Sequence, residues 1–385
     1  MVEVGKIGGE TLVLDGRYIS IFRAGKLVWK RAYRGYILPD GNFYSYRRRV
    51  RITELSGKTL TDYQVKIEIG AGDPIFAHAR SAGEDIRFCY YPEEEMLSYW
   101  IEKFDPVAEE AIIWVKVPSI PANSEIEIYM YYGNPTVASA SDVIATFIRV
   151  IDGLVACWHL DEGSGTVAHD TSGNDNDGTI YGATWVDGKF GKALNFDGVD
   201  DYVEAPDSAS LDIADSVTVE TWLYIEKSEA EQKFIAKKYN YVLWIQANNE
   251  IRFADTLGNY VDTDPITEFN KFIHVIAVFK GKSGDAVTLD NAQIYINGVA
   301  RGTHADGTWS AQTGQGYALR LGDWYGSDYL DGILDEVRIY NRALSEEEIL
   351  DLYNNYGYTT TNYPGKVLVR KYTEPEPSVS VGAEE

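Results

Sequence analysis

Three sets of residues in this 385-residue chain could do chemistry. The first is acidic. A retaining glycosidase needs two carboxylates about 5 to 5.5 Å apart, flanking the bond it breaks. The nearest cluster is Asp331, Asp335 and Glu336 in YLDGILDEVRIY. Adjacent strand residues point to opposite faces, so Asp335 and Glu336 are expected to face apart, and the chain reads as no enzyme. The second set is oxygen-rich and lies in loops: Asp170, Ser172, Asn174 and Asp177 in HDTSGNDND, with Asp200 and Asp201 in GVDD. Calcium gathers six to eight such oxygens from loops. The same residues are also plain turn formers. No glycine-centred EF-hand loop with a terminal Glu is present. The third set is aromatic. LGDWYGSDYLDG carries Trp324, Tyr325 and Tyr329 on a loop, DGTW adds Trp309, and KKYNY adds Tyr239 and Tyr241. Sugar faces stack on such rings, and the alternative is that the rings fold down to anchor their loops. The five histidines, at 78, 159, 169, 274 and 304, lack zinc spacing. His274 in FIHVIAVF reads as a strand histidine.

The elements that must position these groups are nearly all strands. ETLVLDG, RYISIFRAG and KLVWKR, broken at Asp15-Gly16 and Ala24-Gly25, predict a small β meander over residues 1–40. ILPDGNFY gathers Pro, Asp, Gly and Asn and reads as a linker. RRRVRITELSG, TDYQVKIEIG, EDIRFCYY, LSYWIEKF, EAIIWVKVPSI and SEIEIYMYYG are six strand candidates, which predicts a β-sandwich over 45–145. From 154 to 356, runs such as SVTVETWLYIE, KFIHVIAVFKG and DGILDEVRIYN alternate with Gly/Asp/Asn loops. One helix is expected after Ser345, whose hydroxyl can cap it while Glu346, Glu347 and Glu348 sit at its positive end. Ile349, Leu350 and Tyr353 should share one face. The tail, 359–385, holds a strand-like KVLVRKY and then EPEPSVSVGAEE, and either dangles or returns to complete a sheet. The fold class is therefore all-β.

Charge narrows the partners. The formal net charge is -24, which repels phosphate backbones and anionic headgroups, so no nucleic acid and no membrane surface is expected. The basic run Arg47–Arg49 reads as a solvated strand face. The most apolar stretch, 143–160, contains Arg149 and Asp152 and is too short and too charged for membrane insertion. The start, MVEVGKIGGETLVLDG, shows no basic segment followed by an apolar core. Cys89 and Cys157 sit in apolar strand contexts (RFCYY and VACWHL) and read as buried thiols. Twenty-eight tyrosines and nine tryptophans suit both strands and glycan-binding surfaces.

ACWHLDEGSG, HDTSGNDNDGT, GKALNFDGVDDYVEAP, SVTVETWLYIE, QIYINGVARG and YLDGILDEVRIYNRALSEEEI together resemble the laminin-G-like jelly roll of the concanavalin-A superfamily, over 154–356. YRRRVRIT, DYQVKIEI, EDIRF, YWIE, WVKVPSIPA and YYGNP are similar to an uncharacterised β-sandwich family found beside such domains in archaeal surface proteins. The first resemblance implies a jelly roll with a structural Ca²⁺ where first and last strands meet, with Asp170 and Asp335 as ligands and Asn174 and Asp201 as further oxygens. The superfamily includes glucanases, but their Glu-x-Asp-x-x-Glu strand is absent here. The expectation is a non-catalytic recognition or adhesion protein, carbohydrate-binding through Trp324, Tyr325, Tyr329, Trp309 and Tyr241, acting on a glycan or glycoprotein surface. It would work outside a cell, on its surface, or in a virion. The alternative is a structural virion or envelope component that self-assembles as a homo-oligomer, and the second alternative is a glycoside hydrolase.

Overall fold

Side-chain alternation along each strand fixes which face it buries. In Tyr46–Thr53, Val50 and Ile52 are buried while Arg47, Arg49 and Arg51 reach solvent. Arg48 falls on the buried side, only 6% exposed, where its guanidinium pairs with Asp73 and its Nε donates to the Gly382 carbonyl at 2.7 Å. The basic run is thus a solvated face at its two ends only. The protein is seen in a computed structural model that describes residues 2–7, 10–15, 18–23, 26–32, 35–90, 95–226 and 230–385. It is all-β, with three short helices among the described residues.

The chain divides into two units, one of residues 1–148 with 370–385 and one of 149–369. In the first, Val2–Ile7, Glu10–Asp15, Tyr18–Arg23 and Lys26–Ala32 form an antiparallel meander. The turn residues Gly16, Ala24 and Gly25 lie outside the described residues. The expected linker is instead a small hairpin, Tyr36–Ile37 paired with Phe43–Tyr44. Its Leu38 and Tyr44 are buried against Cys89, Tyr129 and Tyr131, because its apolar residues have a surface to pack on. The sandwich follows. Its five-stranded sheet runs Glu95–Met96, Arg87–Tyr90, Glu125–Tyr132, Tyr46–Thr53, Ser378–Glu384, and its three-stranded sheet runs Tyr99–Asp105, Glu110–Ile120, Leu60–Ile69. The fifth strand comes from the tail, which therefore returns. Val379 and Val381 pack on the sandwich core. The Glu384 carboxylate accepts from Tyr132 Oη at 2.7 Å and meets His78 Nδ1 at 2.8 Å, and Glu385 pairs with Arg47 at 2.6 Å.

In the second unit two large sheets face each other. The eight-stranded one has at its centre Asp331–Tyr340, Val217–Ile225 and Phe272–Phe279, with Leu154–Trp158 paired to Asp331–Tyr340. The nine-stranded one runs Val167–Ala168, Gly178–Tyr181, Tyr202–Ala205, Leu319–Leu321, Gln232–Lys237, Tyr241–Ile245, Ile251–Ala254, Tyr260–Thr263, Gly302–Asp306. Between them lies the main core, including Trp158, Phe234, Leu243, Phe253, Phe279 and Leu334. Across its centre the eight-stranded sheet is buried on its other face as well. There Ile276, Val278 and Tyr340 pack beneath Ile349 and Leu352 of the helix Glu346–Asn354 and beneath Val367 and Val369 of the tail. The helix begins as its sequence requires: Ser345 Oγ accepts from the Glu348 amide at 3.3 Å, and Glu348 accepts from the Ser345 amide at 2.8 Å. Its buried pair is Ile349 and Leu352, while Leu350 is 49% exposed. The i, i+3 stripe meets the sheet, and Leu350 lies a quarter-turn outside it. Both cysteines are buried and not joined in a disulfide.

The twice-buried sheet holds a charged network. Arg338, 2% exposed, pairs with Glu220 at 3.0 Å and with Glu336, and donates to the Gly357 carbonyl at 2.7 Å. Glu220 also takes His274 Nε2 at 3.0 Å and the Tyr340 hydroxyl at 2.7 Å. Burial pushes the Glu220 carboxyl up, but Arg338, His274 and Tyr340 outweigh it and hold the group below the usual glutamate range. A carboxyl whose pKa is depressed by folding adds stability above its unfolded pKa and loses it as pH falls. Glu220→Gln should therefore lower the melting temperature at pH 7 and flatten its decline on acidification below the ordinary glutamate range. Melting curves of both proteins from pH 7 to pH 3 check this, and parallel curves would contradict it. For the first unit, a chain ending at Pro377 loses two half-buried valines and a full strand pairing. Its unfolding free energy in urea should fall by about 2–4 kcal/mol, and an unchanged midpoint would show that the returning strand adds nothing.

Candidate functional site

The centre of the eight-stranded sheet is covered on both sides, whereas the nine-stranded sheet turns one face outward. Along these strands Val203, Leu321, Ile235, Leu243, Phe253 and Val261 point into the core. Their neighbours must point out. Directly opposite one another on six consecutive strands stand Glu204, Arg320, Ala236, Val242, Ala254 and Tyr260. A second, shorter row pairs Lys233, Trp244, Arg252 and Asp262. Ala236, Val242 and Ala254 form a patch of small residues that is itself buried, because Trp244, Tyr260 and Trp324 pack against it.

Three cations on this face are each paired with an acid, while Lys238 lies over the Tyr317 and Tyr325 rings. Arg252 meets Asp262 through two hydrogen bonds, at 2.6 and 2.5 Å, and lies 3.6 Å over the Tyr260 ring. Arg320 pairs with Glu204 at 2.7 Å and lies 4.0 Å over Tyr202, which stacks on Tyr181 at 4.5 Å. Lys233 pairs with Glu231 at 2.9 Å and sits 4.3 Å over Trp244. Three enclosed polar atoms here have no hydrogen-bond partner among the described residues: Trp244 Nε1, Arg320 Nε and Asp323 Oδ1. Burial raises the Asp323 carboxyl, against the Gly326 amide and Arg320, which lower it.

The aromatic residues singled out from sequence divide between this face and the core. Trp324 packs on the small-residue patch, with Tyr325 edge-on to it at 5.4 Å. The Tyr325 hydroxyl donates to the Ala318 carbonyl at 2.6 Å and accepts from the Lys238 amide at 3.0 Å, and burial pushes its pKa up to about 12. Tyr329 is half-buried in the same loop. Trp309 and Tyr241 are corrections. Trp309 is 1% exposed and stacks on Phe279 at 4.3 Å within the core, and Tyr241 is fully buried with its hydroxyl on the Leu211 carbonyl. A ring with both faces packed offers none to a sugar. Sequence reasoning missed Trp244, Tyr260, Tyr202, Arg252 and Arg320. The signal that could have found them is polar residues alternating with apolar ones, as in IRFA, YVDT and YVEA.

The expected metal ligands divide too. Asp170 is committed to its own loop: its carboxylate accepts from the amides of Cys157, Ser172 and Asn176 at 2.9, 2.9 and 3.0 Å and from Ser172 Oγ at 2.8 Å. Asn174 donates to the Val155 carbonyl at 3.1 Å. Asp335 Oδ2 accepts from the Lys189 and Phe190 amides at 2.7 and 3.0 Å. Burial, first, and Glu336, second, raise its pKa well above the usual aspartate range. Asp170 is thus a filled loop clamp, Asn174 is tied through its amide nitrogen, and Asp335 keeps a buried Oδ1 without a hydrogen-bond partner among the described residues. Asp201 does have acidic company. Its carboxylate lies with those of Asp197 and Asp200, ligand atoms all within 4.8 Å of one another, the one such group among the described residues. Asp335 and Glu336 also depart from expectation, since they do not face apart. Leu334 and Val337 both enter the core, and a bulge with Glu336 at φ 52° leaves the two acids between them on the outer side. There Glu336 is held by His159 and Arg338, and neither carboxyl reaches solvent.

Comparison with known proteins places family matches on both units. Residues 197–350 match the model of the concanavalin A-like lectin/glucanases superfamily, and residues 82–160 match that of a domain of unknown function. No curated protein matches the chain. Among solved structures, the chain is similar to domain 4 of AbnA, a GH43 extracellular arabinanase from Geobacillus stearothermophilus, in complex with arabinotriose. The identity is 22%, over 52% of this chain and 98% of that one, with a TM-score of 0.42. It is also similar to the binding domain of Paraclostridial Mosquitocidal Protein 1, at 17% identity over 52% of each chain and a TM-score of 0.42. The binding domain of Botulinum Neurotoxin DC in complex with SialylT matches at 14% identity, over 53% of this chain and 51% of that one, with a TM-score of 0.41. The match thus spans about half the length of the toxin binding domains. No helix among the described residues is long and apolar enough to cross a membrane. The chain carries a concanavalin A-like lectin/glucanase-type domain at residues 197–350, preceded by a domain of unknown function at residues 82–160.

Proposed function

We propose that this protein is a non-catalytic recognition protein that binds carbohydrate on the outward face of its nine-stranded sheet and acts outside the cell or at its surface. The observation that carries the reading is the row of half-buried rings and ion pairs packed over a buried patch of small residues. Rings present apolar faces to the C–H side of a sugar, while fixed carboxylates and guanidinium groups suit its hydroxyls. The acids that resemble a hydrolytic pair, Asp335 and Glu336, are enclosed and engaged by backbone amides, His159 and Arg338. They have no substrate surface to work on.

A glycan array probed with the full chain tests this. Selective binding is expected, and Trp244→Ala should weaken it by about tenfold, the equivalent of about 1.4 kcal/mol, in a variant shown by circular dichroism to remain folded at the assay temperature. A folded protein that binds nothing on the array would overturn the reading.

Calcium is the accompanying proposal, at Asp197, Asp200 and Asp201 rather than at Asp170 and Asp335. Burial and the other two carboxylates raise the Asp201 pKa, a repulsion that a divalent cation would relieve. Backbone carbonyls and water would complete the coordination. Calcium at a hundredfold excess over its Kd should stabilise the protein by about 2.7 kcal/mol. Asp200→Asn, at an exposed position, should abolish most of that thermal shift. An equal shift in wild type and variant would locate any calcium elsewhere.

A further inference from the structure

We infer that copies of this chain associate head to tail, the basic strand Lys26–Ala32 of one copy adding to the free edge of Ser378–Glu384 in the next. Each of these strands is the last of its sheet, Lys26–Ala32 in the meander and Ser378–Glu384 in the sandwich. The last strand of a sheet presents one row of unpaired backbone N–H and C=O groups, which another strand can satisfy.

On the tail strand that row can be located. Arg47 and Glu385 exchange backbone hydrogen bonds in both directions, at 3.3 and 2.9 Å. Bonded pairs of this kind recur at every second residue of an antiparallel strand. Arg51 and Thr53 therefore bond to the residues opposite them, Ser380 and Ser378. Val379 and Val381, at the alternate positions, turn their backbone groups away from Tyr46–Thr53. Both residues line a cavity of about 500 Å³, together with Pro377, Lys66, Ile69 and Gly70. An incoming strand has room at this edge.

Charge selects the strand. Residues 374–385 hold Glu374, Glu376, Glu384 and Glu385 and no Lys or Arg. Lys26–Ala32 holds Lys26, Lys30 and Arg31 and no acid. Like charges on facing strands repel and opposite charges attract. Two tail strands, or two meander strands, are thus disfavoured partners, and the unlike pair is favoured. Arg370, His78 and Arg47 already meet Glu376, Glu384 and Glu385, so the attraction rests on the charge of the whole copy more than on any one pair. Residues 1–32 carry six Lys and Arg against three Asp and Glu, while the rest of the chain carries 29 against 56. The basic strand is therefore the part of one copy that the acidic body of another attracts. Assembly repeats the second unit along the row of copies, which strengthens the hold on any ligand that itself repeats.

Sedimentation velocity of the full chain from about 1 to about 100 µM tests the inference, because one strand pairing is a small interface and micromolar association is expected. A head-to-tail contact leaves a working edge at each end, so the mass should rise past that of a dimer. Two variants separate the edges. Lys26→Glu with Lys30→Glu and Arg31→Glu spoils the basic strand and leaves the tail strand as it is. Val381→Pro removes one outward N–H and no bond to Tyr46–Thr53. If that variant does not fold, Ser378→Lys with Ser380→Lys, at exposed positions, blocks the same edge through charge. Each variant alone, shown folded by circular dichroism, should stay monomeric. An equimolar mixture of the two should form dimers and nothing larger, because each copy keeps one working edge. A wild-type chain that stays monomeric at about 100 µM or stops at a dimer overturns the inference. So does association that survives either variant, or a mixture of folded variants that stays monomeric.

Discussion

Arg338 sits in the middle of the eight-stranded sheet with its guanidinium closed off from water, held between Glu220 and Glu336. Removing one member of such a group would leave an uncompensated buried charge, which is why buried ion pairs are costly to break even where they add little net stability. The network stays dry because the helix Glu346–Asn354 and the strands of the tail cover that face. Covering it removes the centre of that sheet from solvent, whereas the nine-stranded sheet keeps an outward face.

That face follows from two simple rules. Alternation sends every second residue outward, and antiparallel register lines up the outward residues from strand to strand. Residues far apart in the chain, such as Glu204, Arg320 and Tyr260, thereby come into one row. Each guanidinium in the row is covered on one side by a ring and fixed on another by an acid. Side chains held that way lose little further freedom when a ligand arrives, which lowers the cost of binding.

The first unit shows the same rules applied to a different need. An open sheet edge is a hazard because its amides and carbonyls seek partners. The edge formed by Tyr46–Thr53 is paired instead with Ser378–Glu384, a strand from the far end of the chain. Small residues and valines alternate in that strand, and its two terminal acids meet His78, Tyr132 and Arg47. A run of acidic and small residues that reads as a tail is thus part of a sheet.

The sequence by itself determined the strand-rich class, the six strands of the sandwich, the capped helix after Ser345 and the buried thiols. These depend on local pattern, on turn chemistry and on capping, which act within a few residues. It did not determine which way the aromatic residues face. YVLWI is apolar throughout, so nothing in it marks Tyr241 as inward and Trp244 as outward. Only the register with IRFA and YVDT, where Arg252 and Asp262 must reach water, assigns the faces. The bulge at Glu336 and the engaged carboxylate of Asp170 were hidden for a related reason. Each depends on partners supplied by other strands and loops, such as Thr221, Lys189 and Cys157, and an acid looks the same in sequence whether it meets a metal or an amide. Only the tertiary structure brings those partners in, because whether a polar group is satisfied depends on what surrounds it in space.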